Sequence, residues 1–345
     1  MRDKLKRPIQ IVNRVCELAG SINLIDDITA DLDAHNIQQA IEQRNTPRLF
    51  DWLVTNFSYQ GVSDAVARSY LDKHGSASWS AIQRALQQNV PCPRLRSYRS
   101  FHACRYDKTS ATCSEPEHIE LCSLPKHKLR NGRLNQTAYS FFLFVRDIAN
   151  NDLVGWIDQQ LANSTSFPQG FDSDPLIAPL RHVYGISDKI LAMTLSSVLL
   201  GAQSNRPRWF QAGVDMIAID TLVHNFMHRT GILAEIGRPH TYGVECYREG
   251  GCAQLIRCVA SNINAKQFNS SFPMTFPRFI QHAIWRFCSA DGLNLCNGNR
   301  IDDRAECDLR YCHLFSLCSH LTLKPVSKQS LRLLDHANTR AKLQK

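Results

Sequence analysis

Hydrophobic residues recur along this chain mostly at the three- and four-residue spacing of helices that bury one face. Residues 8–20 form the first such segment, with Pro8 near its start and Gly20 at its end. Thr46 as the N-cap and Pro47 in the first turn begin another. The further predicted helices are 34–44, 65–71, 134–149, 152–162, 187–200, 220–231 and 276–290. The pattern therefore predicts an all-α fold.

One residue departs from the apolar character of the segment 187–200. Gly185 permits a tight turn, Ser187 is a good N-cap, and Lys189 follows in the first helical turn. The positive end of the helix dipole disfavours a charged amine there, and a neutral lysine is a nucleophile. A lysine that extends to solvent is the alternative interpretation.

A second candidate residue lies about thirty positions further on. The apolar run 216–219 ends at Asp220, where the next helix is predicted to begin. Asp220 is either a simple N-cap or a catalytic carboxylate whose charge the helix-end N–H groups stabilise.

Together, these two segments resemble the helix-hairpin-helix DNA glycosylases of the endonuclease III and 8-oxoguanine glycosylase type. The family has Gly-Val-Gly-x-Lys in its hairpin, and this chain has Gly185-Ile-Ser187-Asp-Lys189, with serine at the second glycine. The resemblance implies that Lys189 is the nucleophile, that Asp220 is the essential aspartate, and that Gly185 and Ser187 grip DNA phosphates.

The segment after the predicted helix at 46 resembles the same family. Ser58-Tyr-Gln60 precedes Asp64, which opens the next helix, although one extra residue separates the glutamine from the acid. The resemblance implies that Gln60 wedges into the gap left by a flipped base. A turn glutamine in solvent is the alternative.

Composition and charge fit a nucleic-acid partner without identifying one. The 345 residues are 43% hydrophobic, enough for a sizeable core, and Lys plus Arg exceed Asp plus Glu by nine. No apolar run is long enough for a membrane span, and no signal-peptide pattern opens the chain. We expect double-stranded DNA as the partner, no membrane, a monomeric state and a cytoplasmic, nucleoid-associated location.

Thirteen cysteines in a chain without a signal peptide point to metal ligands rather than to disulfides. A basic, aromatic-containing insertion at 91–133 could bind zinc, with unliganded cysteines as the alternative, and its basic and aromatic residues suit phosphate contact and base stacking. Its candidate ligands are Cys92, Cys104, Cys113 and Cys122.

Four later cysteines resemble the iron–sulfur motif of endonuclease III. Cys296, Cys307, Cys312 and Cys318 follow the predicted helix 276–290, with gaps of ten, four and five residues where the family has six, two and five. The resemblance implies a 4Fe–4S cluster, and zinc or free thiols remain alternatives because thiolates bind both metals.

Three other cysteines are spaced by six residues and predict no role: Cys246, Cys252 and Cys258.

The resemblance implies two helical lobes with a DNA-binding cleft. Residues 1–45 and 236–345 would form a lobe with the cluster loop, and 46–235 a helical barrel with the hairpin. The predicted function is excision of a damaged or modified base, with strand nicking through a Schiff base. A monofunctional glycosylase, a non-catalytic DNA-binding protein and an unrelated metal protein remain alternatives.

Overall fold

A computed structural model describes residues 2–59, 64–74, 77–88, 92–107, 109–110, 112–124, 132–163, 174–202 and 206–324. This part of the chain is mostly helical, with 59% of its residues in helices and 1% in strands, which confirms the all-α prediction. The α-helices are α1 (Arg2–Ala19), α2 (Leu24–Ala34), α3 (Ile37–Glu42), α4 (Thr46–Phe57), α5 (Asp64–His74), α6 (Trp79–Gln88), α7 (Tyr98–Phe101), α8 (Gly132–Asp147), α9 (Leu153–Asn163), α10 (Ile177–Leu180), α11 (Asp188–Gly201), α12 (Pro207–Asp215), α13 (Thr221–Arg229), α14 (Ile232–Ile236), α15 (Cys252–Ala260) and α16 (Pro277–Cys288).

The remaining regular structure is small. Strands β1 (Tyr106–Asp107) and β2 (Thr112–Cys113) form an antiparallel pair. Short 3₁₀ turns occupy Pro93–Leu95, Pro116–His118, Val244–Tyr247 and Ala265–Gln267. No described helix is both long enough and apolar enough to cross a lipid bilayer.

The chain divides into two compact units. The terminal unit combines Met1–Ile22 with Ile219–Lys345, and the central unit is Asn23–Ala218. The boundaries predicted from the sequence lie after residues 45 and 235, so α2, α3, α13 and α14 fall on the other side of the division.

In the terminal unit, α1 packs on α16 through a tight contact at Gly20. A Cβ at this position would lie 2.4 Å from the carbonyl oxygen of Cys16 and 2.8 Å from the ring of Phe279. Pro8 lies inside α1, not near its start as predicted. The longer helix buries Leu5 and places Arg7 against α14, and these contacts offset the hydrogen bond that proline cannot donate.

In the central unit, aromatic rings pack around the buried helix α8. Phe141 stacks on Phe50 of α4 with ring centroids 5.2 Å apart, and Phe142 packs against Trp79 of α6 at 4.4 Å. The predicted helix 34–44 is instead divided, because Asn36 adopts a left-handed conformation between α2 and α3.

Residues of the cysteine-rich insertion pack on α8. The backbone N–H of Tyr98 donates to Asp147 at 2.6 Å, and Gln136 donates to the carbonyl of Tyr106 at 3.1 Å. The described part of the insertion is therefore anchored to the central helix through hydrogen bonds.

Candidate functional site

The turn before α11 places Lys189 where the sequence predicts it. Gly185 has φ +82°, and Ser187 is the N-cap residue with an extended backbone. Arg181 forms two hydrogen bonds of 2.7 Å with the carboxylate of Asp188, the residue that precedes the lysine. Lys189 is half-buried in the first helical turn. The ion pair between Arg181 and Asp188 braces the turn that presents this amine.

Asp220 caps α13, as one of the two sequence interpretations expects. Its Oδ1 accepts the N–H of Val223 at 2.9 Å, and its side chain is half-buried. The preceding residue is also held, because the N–H of Ile219 donates to the hydroxyl of Tyr247 at 2.9 Å. Burial lowers the pKa of Arg278 to about 10, and the neighbouring carboxylate of Asp220 opposes that shift. Asp220 belongs to the terminal unit and Lys189 to the central unit.

Gln60, the predicted wedge residue, lies outside the described residues. The described chain resumes at α5, which begins at Asp64, as the sequence predicts for the acid that opens the next helix.

The C-terminal cysteine group (Cys296, Cys307, Cys312, Cys318) lines one small cavity that is partly open to solvent. Each thiol is within electrostatic range of the other three. The rest of the lining is mainly apolar, and it includes Phe226, Phe287 and Leu314.

A buried arginine also faces this cavity. Arg229 is 1% exposed, and only its Nη2 has a side-chain partner, Asp303, at 2.6 Å. Its Nε and Nη1 meet no acceptor among the described residues. A buried guanidinium with unused donors is stabilised by further acceptors, and a cluster held by four thiolates would supply negative charge beside it.

Backbone N–H groups point at three of these sulfurs. Cys307 and Cys312 each accept the N–H of the residue two positions on, and His320 N lies 3.3 Å from the sulfur of Cys318. Such bonds favour the thiolate, whereas burial raises the pKa of Cys318 to about 11. A bound metal would supply the charge needed to deprotonate these thiols, so the residues fit a metal cluster.

The insertion cysteine group (Cys92, Cys104, Cys113, Cys122) is also brought together. Cys122 is within electrostatic range of the other three, and Cys104, Cys113 and Cys122 each accept an N–H from two residues on. Glu115 and His118 offer further donor atoms, which lie with the Cys113 sulfur within 4.8 Å of one another.

A further cluster of donor atoms is one that was not predicted from the sequence. His224, His240, Cys246 and Cys252 form a histidine–cysteine group whose donor atoms all lie within 4.8 Å of one another, so it could hold a metal ion. Nδ1 of His224 lies 3.4 Å from the sulfur of Cys252 and 3.5 Å from that of Cys246. Nε2 of His240 lies 3.6 Å from Cys252.

The two thiols of this group differ in acidity. A hydrogen bond from Cys252 and the neighbouring His224 lower the pKa of Cys246 to about 4, against the effect of burial. The same hydrogen bond, together with burial, raises the pKa of Cys252. A cation bound between the two sulfurs would displace the proton that they share.

No family model matches the sequence, no curated protein matches it at a significant level, and no solved structure matches the fold. The resemblance to helix-hairpin-helix glycosylases therefore stays a prediction from the motifs and their order along the chain.

Proposed function

We propose that this protein is a DNA glycosylase with an associated lyase activity, in which Lys189 is the nucleophile and Asp220 the catalytic carboxylate. One observation carries the proposal. A glycine at φ +82° and a serine N-cap lead into a helix whose first turn holds a half-buried lysine. A lysine that only extends to solvent does not need a turn braced by the ion pair of Arg181 and Asp188.

The reaction requires a nucleotide that has left the base stack, at a cost of a few kcal/mol. The amine of Lys189 attacks the anomeric carbon of the sugar, the bond to the base breaks, and the base departs with the bonding electrons. Asp220 stabilises the positive charge that develops on the sugar and accepts a proton from the amine. Ring opening gives a Schiff base, and loss of a proton from the neighbouring carbon then expels the 3′ phosphate by β-elimination.

Contacts with DNA would come from the hairpin and from a wedge residue. We propose that the backbone at Gly185 and Ser187 contacts DNA phosphates. Gln60 would fill the gap that the flipped nucleotide leaves in the duplex. The formal net charge of +9 favours association with a polyanion of this kind.

We propose a 4Fe–4S cluster for the C-terminal cysteine group. Four thiols, three N–H···S bonds and the unused donors of Arg229 support this assignment. When bound, the cluster would cross-link residues 296–318 and supply a fixed negative charge beside the arginine. For the insertion cysteine group we propose zinc.

Borohydride trapping on a duplex with an abasic site tests the catalytic proposal. We expect one covalent adduct with the native chain and none with Lys189→Ala, whereas Lys266→Ala, at an exposed lysine, should trap like the native chain. Equal trapping by Lys189→Ala would contradict the role of the lysine.

A panel of duplexes with different damaged bases tests base release separately from strand nicking. Release without nicking, unaffected by Lys189→Ala, would leave a monofunctional glycosylase in which Asp220 activates water. Salt-sensitive duplex binding with no release from any substrate would leave a DNA-binding protein without chemistry.

A further inference from the structure

Four side chains converge from four separate segments of the terminal unit. His224 comes from the first turn of α13, His240 from the loop after α14, Cys246 from the 3₁₀ turn Val244–Tyr247 and Cys252 from the start of α15. His224, Cys246 and Cys252 are at most 5% exposed, and His240 is half-buried.

The distances match those of a tetrahedral metal site. With zinc–sulfur bonds of about 2.3 Å and zinc–nitrogen bonds of about 2.05 Å, a tetrahedral angle separates nitrogen from sulfur by about 3.6 Å. The three nitrogen–sulfur distances are 3.4, 3.5 and 3.6 Å.

Hydrogen bonding between the four side chains explains this arrangement less well. Nδ1 of His224 lies almost equally far from both sulfurs, although one ring nitrogen has a single lone pair or a single proton to share. A cation at the centre would use all four donor atoms at once.

The ring of His240 is already oriented for metal binding. Its Nδ1 lies 2.7 Å from the carbonyl oxygen of Arg238. Because a carbonyl only accepts, Nδ1 carries the proton and Nε2 presents its lone pair to Cys252. A backbone carbonyl that holds the distal ring nitrogen is the usual support of a metal-binding histidine.

The backbone around the cysteines is packed closely enough to hold them in place. A Cβ at Gly251 would lie 2.3 Å from the carbonyl oxygen of Glu245 and 2.8 Å from that of Cys246. Because residue 251 is glycine, the turn that contains Cys246 packs directly against the backbone that leads into Cys252. Glu245 also pairs with Arg238 at 2.6 Å, which closes the loop that carries His240.

We propose that His224, His240, Cys246 and Cys252 bind one zinc ion as a closed structural site. Two thiolates and two imidazoles in a tetrahedron suit zinc, and four protein ligands leave no position for a substrate. The ion fastens residues 240–252 to the helix that Asp220 caps. The ligand geometry alone carries this inference, so it stands whether or not the protein acts on DNA.

Metal analysis of the purified full-length protein tests the site. We expect Cys252→Ser to lose one equivalent of zinc relative to the native chain and to retain the same iron content. Cys258→Ser is the matched control, because Cys258 lies on the same helix, six residues on, and is not among the four ligands. Equal zinc in native, Cys252→Ser and Cys258→Ser proteins would overturn the proposal.

X-ray absorption at the zinc edge of the native protein covers the case in which Cys252→Ser does not fold. We expect imidazole scattering beyond a first shell of mixed nitrogen and sulfur. A shell of sulfur alone, or a native protein free of zinc, would also overturn the proposal.

Discussion

Arg229 donates from Nη2 to the carboxylate of Asp303 at 2.6 Å while the rest of its guanidinium faces the cavity of the C-terminal cysteine group. The ion pair neutralises the arginine only in part, since Asp303 is 34% exposed and two donor atoms of Arg229 have no described acceptor. The guanidinium therefore keeps two unused donor atoms beside the cavity that the four thiols line, which supports our proposal of an anionic cluster there.

We expect Arg229→Met to weaken that cluster. Removing the buried positive charge should lower the iron content, speed the loss of the brown absorbance in air and cost about 2 kcal/mol of unfolding free energy. Arg304→Met, at an exposed arginine of the same loop, should change none of these. If Arg229→Met kept its iron and gained stability, the cavity would be an ordinary apolar core.

Asp220→Asn should separate capping from catalysis. Asparagine caps a helix as well as aspartate does, so the unfolding free energy should stay within about 0.5 kcal/mol of the native value. Base release should nevertheless fall by at least about 100-fold, because the amide carries no charge to stabilise the sugar cation. Asp220→Ala should lose both the activity and about 1 kcal/mol of stability. Undiminished base release by Asp220→Asn would remove the residue from the mechanism.

Arg7 should contribute more to stability than an arginine in an ordinary surface ion pair. It bonds to Glu235 and donates to the carbonyls of Thr230 and Leu317 at 2.9 and 2.7 Å. We expect Arg7→Ala to cost about 2 kcal/mol in urea unfolding, because four hydrogen bonds to three partners are lost. Arg14→Ala, which breaks an exposed pair with Glu17, should cost at most about 0.5 kcal/mol. Equal effects would show that α1 is held by apolar packing alone.

His282 should make the terminal unit sensitive to acid. Burial, followed by Arg278 and Arg286, lowers the pKa of His282 to about 3 from an unfolded value of about 6.5. The unfolded chain therefore binds more protons between pH 6.5 and 3. The stability contributed by the neutral ring is complete above pH 6.5, and it falls by up to about 1.4 kcal/mol per pH unit below it. Urea midpoints from pH 7 to 4.5 should fall less steeply for His282→Gln, and His35→Gln, at an exposed histidine, should follow the native slope.

Local chemistry made several elements predictable from the sequence. Asp220 caps its helix as predicted. N-capping is a local interaction, because the carboxylate accepts an N–H from only three residues further along the chain. The buried helix over 134–149 was predictable for a similar reason, since its apolar residues are contiguous, and it ends two residues earlier at Asp147. By contrast, the helix predicted over 34–44 is only partly confirmed: α3 covers Ile37–Glu42, because the pattern does not reveal the left-handed conformation of Asn36 that precedes it.

The histidine–cysteine group could not be read from spacing. Cys246 and Cys252 are separated by five residues rather than by a tight Cys-x-x-Cys knuckle, and His224 is 28 residues from Cys252. Only the packing of α13, the loop and α15 brings these residues together. The unexplained cysteines were themselves a signal, because their six-residue spacing does not place them on one face of a helix.

The packing of α1 on α16 has a consequence for how the protein is made. At roughly 5–20 residues per second, the ribosome needs about 15–50 s after finishing α1 to reach α16. α1 packs on α14, α15 and α16, which all follow the central unit in the sequence. While the central unit is being synthesised, the apolar face of α1 therefore lacks these partners. The terminal unit can close only after synthesis of the central unit is complete.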